Sequence, residues 1–268
     1  MSAASTSIGN AHLRSANRAR AAVAGWRRRL QNFGRSLTTL LPVTADDLPR
    51  LTAHAWLRGR GIEIGALHHP MRLPPGAAVR YVDRMSGEDL RQHYPGLAQK
   101  RFVEVDVVDD AEHLASFADA SEDFIIANHL LEHCQDPIGT LKNMCRVLRP
   151  GGVLFLTLPD KRETFDRDRP VTSLAHLRAD HEQGPRRSRR EHYEEWVRMV
   201  EIIAGEAEVR RRVEDLISLD YSIHFHVWNF QGMLEMLLSL SGEIGYEIMS
   251  AHNRGKEGVF VLRKAPNF

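Results

Sequence analysis

The chain has 268 residues, 43% of them apolar and 26% charged, a balance that excludes disorder throughout and allows one large α/β domain with additions or two small domains. Its longest clean apolar run, Val153 to Leu158, has the length of a buried strand and falls far short of the roughly 18 to 20 residues that cross a bilayer. Two cysteines, Cys134 and Cys145, exclude a disulfide framework and a Cys-rich zinc site, and suit a reducing, cytoplasmic setting.

A net charge of +1 hides a division, since residues 1–60 carry ten Arg against two Asp while residues 61–268 carry 26 basic and 33 acidic groups. Residues 1–58 therefore read as a basic leader. A solvated helix or arm is the plainer expectation for it, and peripheral contact with a membrane surface the alternative. The acidic body speaks against a nucleic-acid footprint around a cleft.

From Arg60 onward, short apolar runs alternate with helical or turn-rich stretches, the pattern of a parallel sheet covered by helices. Strands are expected at Gly61–Ile64, Val79–Val82, Phe102–Val105, Phe124–Ala127 and Val153–Leu158. Ile138, Leu141, Met144, Cys145 and Leu148 recur at helical spacing before Arg149-Pro150-Gly151-Gly152 stops the helix and starts the fifth strand. Near the end, Phe230–Leu240 reads as a helix, and Tyr246–Ser250 with Gly258–Leu262 as an antiparallel hairpin, which brings the strands to seven. About 70 residues separate the fifth strand from that helix, far more than an ordinary connection needs. They hold expected helices at Leu174–Asp180, Arg190–Ala204 and Glu206–Ile217 and a β-prone stretch, Tyr221–Trp228. The resulting organisation is a leader (1–58), a cofactor-binding core (59–159), a substrate cap (160–228) and a closing helix and hairpin (229–268).

In a doubly wound sheet, ligands collect at the carboxyl ends of the strands. The first strand ends Gly61-Ile62-Glu63-Ile64-Gly65, and twenty residues after Glu63 the second ends in Asp83, where a carboxylate can accept hydrogen bonds from ribose hydroxyls. A dinucleotide needs a G-x-G-x-x-G turn for its pyrophosphate, whereas this turn reads Gly65-Ala66-Leu67-His68-His69-Pro70 and lacks two of the glycines. S-adenosylmethionine has no phosphate, and its sulfonium and ammonium favour a carboxylate such as Glu63.

Glu122-Asp123-Phe124-Ile125-Ile126-Ala127-Asn128-His129-Leu130-Leu131-Glu132-His133 resembles the fourth-strand motif of class I S-adenosylmethionine-dependent methyltransferases. Arg146-Val147-Leu148-Arg149-Pro150-Gly151-Gly152-Val153-Leu154 resembles the segment leading into their fifth strand. The resemblance implies a Rossmann-like seven-stranded sheet in the order 3-2-1-4-5-7-6. It also implies Glu63, Gly65 and Ala66 at the methionine end of the cofactor, Asp83 on its ribose, Asp106 near the adenine, and Asn128 and His129 at its edge. Leu67 and His69 stand where the family commonly has glycine. The combination of Gly65-Ala66-Leu67-His68-His69-Pro70 with Pro159-Asp160-Lys161-Arg162, Asp166-Arg167-Asp168-Arg169-Pro170 and Arg189-Arg190-Glu191-His192-Tyr193 looks like a bacterial subgroup associated with polysaccharide or glycoside biosynthesis, which implies a glycosidic acceptor.

Methyl transfer to a hydroxyl needs a positioned nucleophile and a base. His129, at the end of the fourth strand, is the first candidate, and His176, His224 and His226 are the others. Asp160, Arg169, His176 and Tyr193 are expected to face the acceptor, and the Arg-rich runs of the insertion to suit an anionic one. A divalent metal on His224, His226 and Asp160 is a less favoured alternative, and hydrogen bonding or core packing of these histidines the plainer one. An amine or carboxylate acceptor would need no base.

Overall fold

The computed structural model describes residues 47–97 and 99–267, so most of the basic leader expected at 1–58 lies outside the described residues. A short helix, α1 (Leu48–Trp56), leads into β1 (Arg60–Ile64), followed by β2 (Ala78–Asp83), α2 (Gly87–His93), β3 (Val107–Val108), β4 (Glu122–Asn128), α3 (Pro137–Val147) and β5 (Leu148–Pro159). Three cap helices come next, α4 (Leu174–Gln183), α5 (Arg186–Met199) and α6 (Glu206–Ser218). Helix α7 (Phe230–Ile244) and the hairpin β6 (Tyr246–Asn253) and β7 (Glu257–Lys264) close the chain. The seven strands form one sheet in the order β3-β2-β1-β4-β5-β7-β6, with β7 antiparallel to β5. This is the doubly wound, Rossmann-like order that the sequence motifs imply.

Alternation along the central strands divides the core between the two faces of the sheet. Ile62, Ile64, Ile125, Ala127, Leu154 and Leu156 pack on one face with Leu141 and Met144 of α3 and Met233 and Leu237 of α7. Phe124, Ile126, Phe155, Val259 and Val261 pack on the other with Ala53 and Leu57. The backbones approach most closely at Gly61, where an added Cβ would lie 2.2 Å from the Phe124 carbonyl oxygen. The cap has its own core of Tyr193, Val197, Val209, Val213, Leu216, Ile223 and Phe225.

Two local expectations are corrected, for the third strand and for residues 221–228. The third strand is only Val107–Val108, because residues 102–106 run irregularly past the β1 turn, where Val103 N donates to Leu67 O (2.8 Å). Residues 65–77 join β1 to β2 without a helix, and Leu67 takes the left-handed conformation (φ +47°) that a glycine would adopt without strain. Tyr221–Trp228 joins no sheet beyond a single bridge from Trp228 to Asp160. Instead it threads between cap and core, with Phe225 N donating to Glu132 O (2.8 Å).

Candidate active site

The carboxyl ends of β1, β2, β3 and β4 converge on one edge of the sheet. At β1, Glu63 is 1% exposed, and its two carboxylate oxygens accept from Met71 N at 2.9 and 3.1 Å. Burial pushes its carboxyl up to about 7, against the lowering effect of that hydrogen bond. Gly65 follows at φ +69° with open space where a Cβ would stand, and the Ala66 carbonyl accepts from His69 N to close the turn. At β2, burial raises the half-buried Asp83 above the ordinary carboxylate range, and the Asp83 carbonyl accepts from Asp109 N.

Asp106, expected near the adenine, is held against β2. It precedes β3, donating its N–H to Tyr81 O and accepting from Tyr81 N at Oδ2 (2.7 Å), so its carboxylate is tied alongside the middle of β2. Asp109 and Asp110 follow the carboxyl end of β3, which lies three residues later than expected, at Val108 instead of Val105.

At the end of β4, Asn128 accepts from the Thr157 hydroxyl at Oδ1 (3.1 Å), and His129 takes the left-handed conformation (φ +48°) while its N–H still pairs with Thr157 O. That backbone strain aims the His129 ring at β7, where Nε2 lies 2.6 Å from Glu257 Oε2. Because a carboxylate only accepts, Nε2 carries the proton and Nδ1 is the basic nitrogen, 3.7 Å from Glu132 Oε1. Burial alone would lower the His129 pKa, but the Glu257 hydrogen bond and the charges of Glu132 and Glu257 outweigh it and raise it. Glu257 itself is held below the usual carboxylate range despite its burial, by His129 and by an ion pair with Arg254.

Glu132 is fully buried with neither carboxylate oxygen hydrogen-bonded, and burial raises its pKa. Beside it, burial and the neighbouring His224 push His133 down to about 3. Glu132 lies within the quoted fourth-strand motif, whereas Glu257 stands 128 residues from His129, with no local signal in the sequence to join them.

The insertion is tied to the end of β4, since Phe225 N and His226 N both donate to Glu132 O, at 2.8 and 3.3 Å. Several cap residues expected to face an acceptor are turned inward. Tyr193 is fully buried and donates its hydroxyl to Tyr221 O (2.7 Å). Arg169 is 2% exposed and spans Asp166 and Glu195, both at 2.7 Å. Asp160 is buried under Arg162 and accepts from Phe230 N, so it caps α7 and the turn after β5.

His224 and His226 do not share a face: His224 Nδ1 sits 2.6 Å from Asp166 Oδ2, while His226 is fully buried against His192 and Trp228. Closed off from solvent, His226 cannot meet an acceptor. His176 is engaged inside the cap, its Nε2 3.0 Å from Asp180 Oδ2. The metal set of His224, His226 and Asp160 is likewise dispersed. A groove lined by Arg60, Arg80, Glu122 and Arg149 lies at the amino-terminal ends of β1, β2, β4 and β5, away from the carboxyl-end site.

Residues 73–156, from the β1–β2 connection into β5, match the family model described as a methyltransferase domain. Over that span the chain is similar to a methyltransferase domain, set on a sheet of the order that the fourth- and fifth-strand motifs imply. Ubiquinone biosynthesis O-methyltransferases from three strains of Xanthomonas oryzae pv. oryzae are 28% identical to it over 120 residues, 44% of this chain and 48% of each relative. The chain thus spans about half the length of the curated relatives it matches. Among solved structures, a SAM-dependent methyltransferase from Methanosarcina mazei is 19% identical (81% of this chain, 97% of that one; TM-score 0.44). The Burkholderia thailandensis 1,6-didemethyltoxoflavin-N1-methyltransferase, with bound 1,6-didemethyltoxoflavin and S-adenosylhomocysteine, is 13% identical (93% and 90%; TM-score 0.44).

The residues at this edge suit S-adenosylmethionine. A buried carboxylate stands at Glu63 with no cation paired to it among the described residues, Gly65 leaves open space beside it, and Asp83 offers a ribose acceptor at the neighbouring strand end.

Proposed function

We propose that the protein is an S-adenosylmethionine-dependent O-methyltransferase whose acceptor is a hydroxyl of a sugar or glycosylated small molecule. The observation that carries the reading is the His129–Glu257 pair at 2.6 Å on the carboxyl edge of β4. When bound, the cofactor supplies an already activated methyl group, and a hydroxyl acceptor must lose a proton to accept it. His129 serves as that base: Glu257 fixes the ring through Nε2, leaves Nδ1 to take the proton, and stabilises the imidazolium that forms. An amine or carboxylate acceptor would not call for this arrangement. The O-methyltransferase names of the Xanthomonas relatives agree with a hydroxyl acceptor.

Support for a glycosidic acceptor comes from the cap, where Phe165 and Tyr221 expose flat rings at 55% and 41%, the kind of surface on which sugar faces stack. The cap's arginines are largely neutralised, Arg189 by Asp220, Arg190 by Glu214 and Arg198 by Glu206, which favours an uncharged small molecule over a nucleic acid or a phosphorylated glycan. The test is a screen of hydroxyl, amine and carboxylate acceptors, each with and without a sugar, using methyl-labelled cofactor and both the wild type and His129→Asn. Transfer to a glycoside hydroxyl that falls roughly 100- to 10,000-fold in the variant is expected. Transfer to an amine or carboxylate at the same rate in both proteins overturns the proposal.

A further inference from the structure

We propose that the cap binds a zinc ion in a tetrahedral site made by His176, Asp180, His192 and His226. The four come from three pieces of chain: His176 and Asp180 are one turn apart on α4, His192 is on α5, and His226 lies in the extended segment ahead of α7. Each offers one ligand atom, and these atoms all lie within 4.8 Å of one another. His176 Nε2 is 3.1 Å from His192 Nε2 and 3.0 Å from Asp180 Oδ2, and His192 Nε2 is 3.7 Å from Asp180 Oδ2. A tetrahedral zinc ion with bonds of 2.0–2.1 Å holds its ligand atoms about 3.3 Å apart. The observed separations bracket that length.

Hydrogen bonds alone do not account for the cluster. Asp180 Oδ2 and His226 Nδ1 are buried without a hydrogen-bond partner, although both residues are 0% exposed, and the approach of His176 Nε2 to Asp180 is close but poorly directed. Their other atoms are held from outside the cluster, as metal ligands usually are. Ser188 Oγ donates to Asp180 Oδ1 (2.6 Å), which turns Oδ2 inward. His226 Nε2 faces the Gln135 carbonyl at 3.3 Å, which places its proton on Nε2 and leaves the Nδ1 lone pair free.

Three imidazoles and one carboxylate suit zinc in preference to magnesium or calcium, and four protein ligands leave no open position for substrate. The ion is therefore structural and takes no part in methyl transfer. It joins α4 and α5 to the segment 221–228, which in turn is bonded to the core through Glu132 O and Gln135 O.

The test is metal analysis of the purified full-length chain, together with zinc titration of chelator-treated protein followed by thermal unfolding. One zinc per chain is expected, with a rise in melting temperature on adding zinc and visible bands of tetrahedral cobalt on substitution with cobalt. His176→Ala, at the most exposed ligand, should abolish stoichiometric binding. Ser188→Ala, which keeps all four ligands, should weaken zinc binding roughly 10- to 100-fold, and His252→Ala, outside the cluster, should leave it unchanged. If the folded wild type takes up no zinc or cobalt and its melting temperature ignores both zinc and chelator, the site does not exist. Binding that survives in His176→Ala places the metal elsewhere and also overturns the assignment.

Discussion

The buried carboxyl of Glu63 makes the stability of the domain depend on pH in a way that one substitution should expose. Glu63 is 1% exposed, and burial lifts its pKa from 4.5 to about 7. A raised folded-state pKa means that the native state holds a proton which the unfolded chain has given up. The associated stability is present below about pH 4.5 and lost as pH rises through about 7. A difference of about 2.5 pH units corresponds to roughly 3 kcal/mol by pH 8.5, and to under about 1 kcal/mol at pH 5.

Glu63→Gln keeps an oxygen for the Met71 N–H and never ionises. Relative to wild type, the variant should gain roughly 2 to 3 kcal/mol between pH 5 and pH 8.5, or about 5 to 10 °C in melting temperature for a unit of this size. Urea unfolding at the two pH values reads this directly. The same argument applies to the cofactor, whose cationic groups favour ionised Glu63: in calorimetry, affinity for S-adenosylmethionine should rise with pH through about 7 in the wild type and stay flat in the variant. A stability difference between variant and wild type that is equal at pH 5 and pH 8.5 would refute the reasoning, since it would mean that Glu63 is ionised at no unusual cost.

Asp83→Ala should weaken S-adenosylhomocysteine binding roughly 10- to 100-fold by loss of charge-assisted ribose hydrogen bonds, and unchanged affinity by calorimetry would put the ribose elsewhere. Glu257→Gln removes a charged partner from a half-exposed histidine, so kcat should fall only about 3- to 10-fold. Because Glu257 raises the His129 pKa, the rising limb of the pH–rate profile should move to lower pH in that variant, and a limb that stays in place would separate His129 from the chemistry. Arg169→Ala removes one partner of the buried Asp166 and leaves it His224, so it should cost about 2 to 3 kcal/mol in urea unfolding at pH 7, less than a fully unpaired buried charge. Since Asp166 is held below the usual carboxylate range, its contribution is present above about pH 3.8 and lost as pH falls, so the gap between variant and wild type should narrow in acid.

The sheet was legible in the sequence because its signals are local. Runs such as Phe124–Ala127 and Val153–Leu158 must be buried on both faces wherever they sit, and Arg149-Pro150-Gly151-Gly152 turns the chain whatever surrounds it. Glu63, Asp83 and His129 could be placed for the same reason: each stands within one residue of a strand's carboxyl end, and strand polarity brings those ends to one edge. The third strand was misplaced because Phe102–Val105 is apolar without being paired, and pairing depends on what β2 presents.

The insertion's polar groups are fixed largely by contacts that are not local in sequence. Arg169 and Tyr193 have polar groups that would suit a substrate, yet they lie inside because Asp166, Glu195 and the Tyr221 carbonyl satisfy them there. Among 14 histidines, nothing in the spacing matches His129 to Glu257 or His226 to His192, since those partners meet only after the hairpin has paired with β5 and α4 and α5 have packed together. A side chain's own chemistry limits what it can bind, but which donor or charge stands opposite it is decided by contacts between distant segments, and these form only when the chain folds.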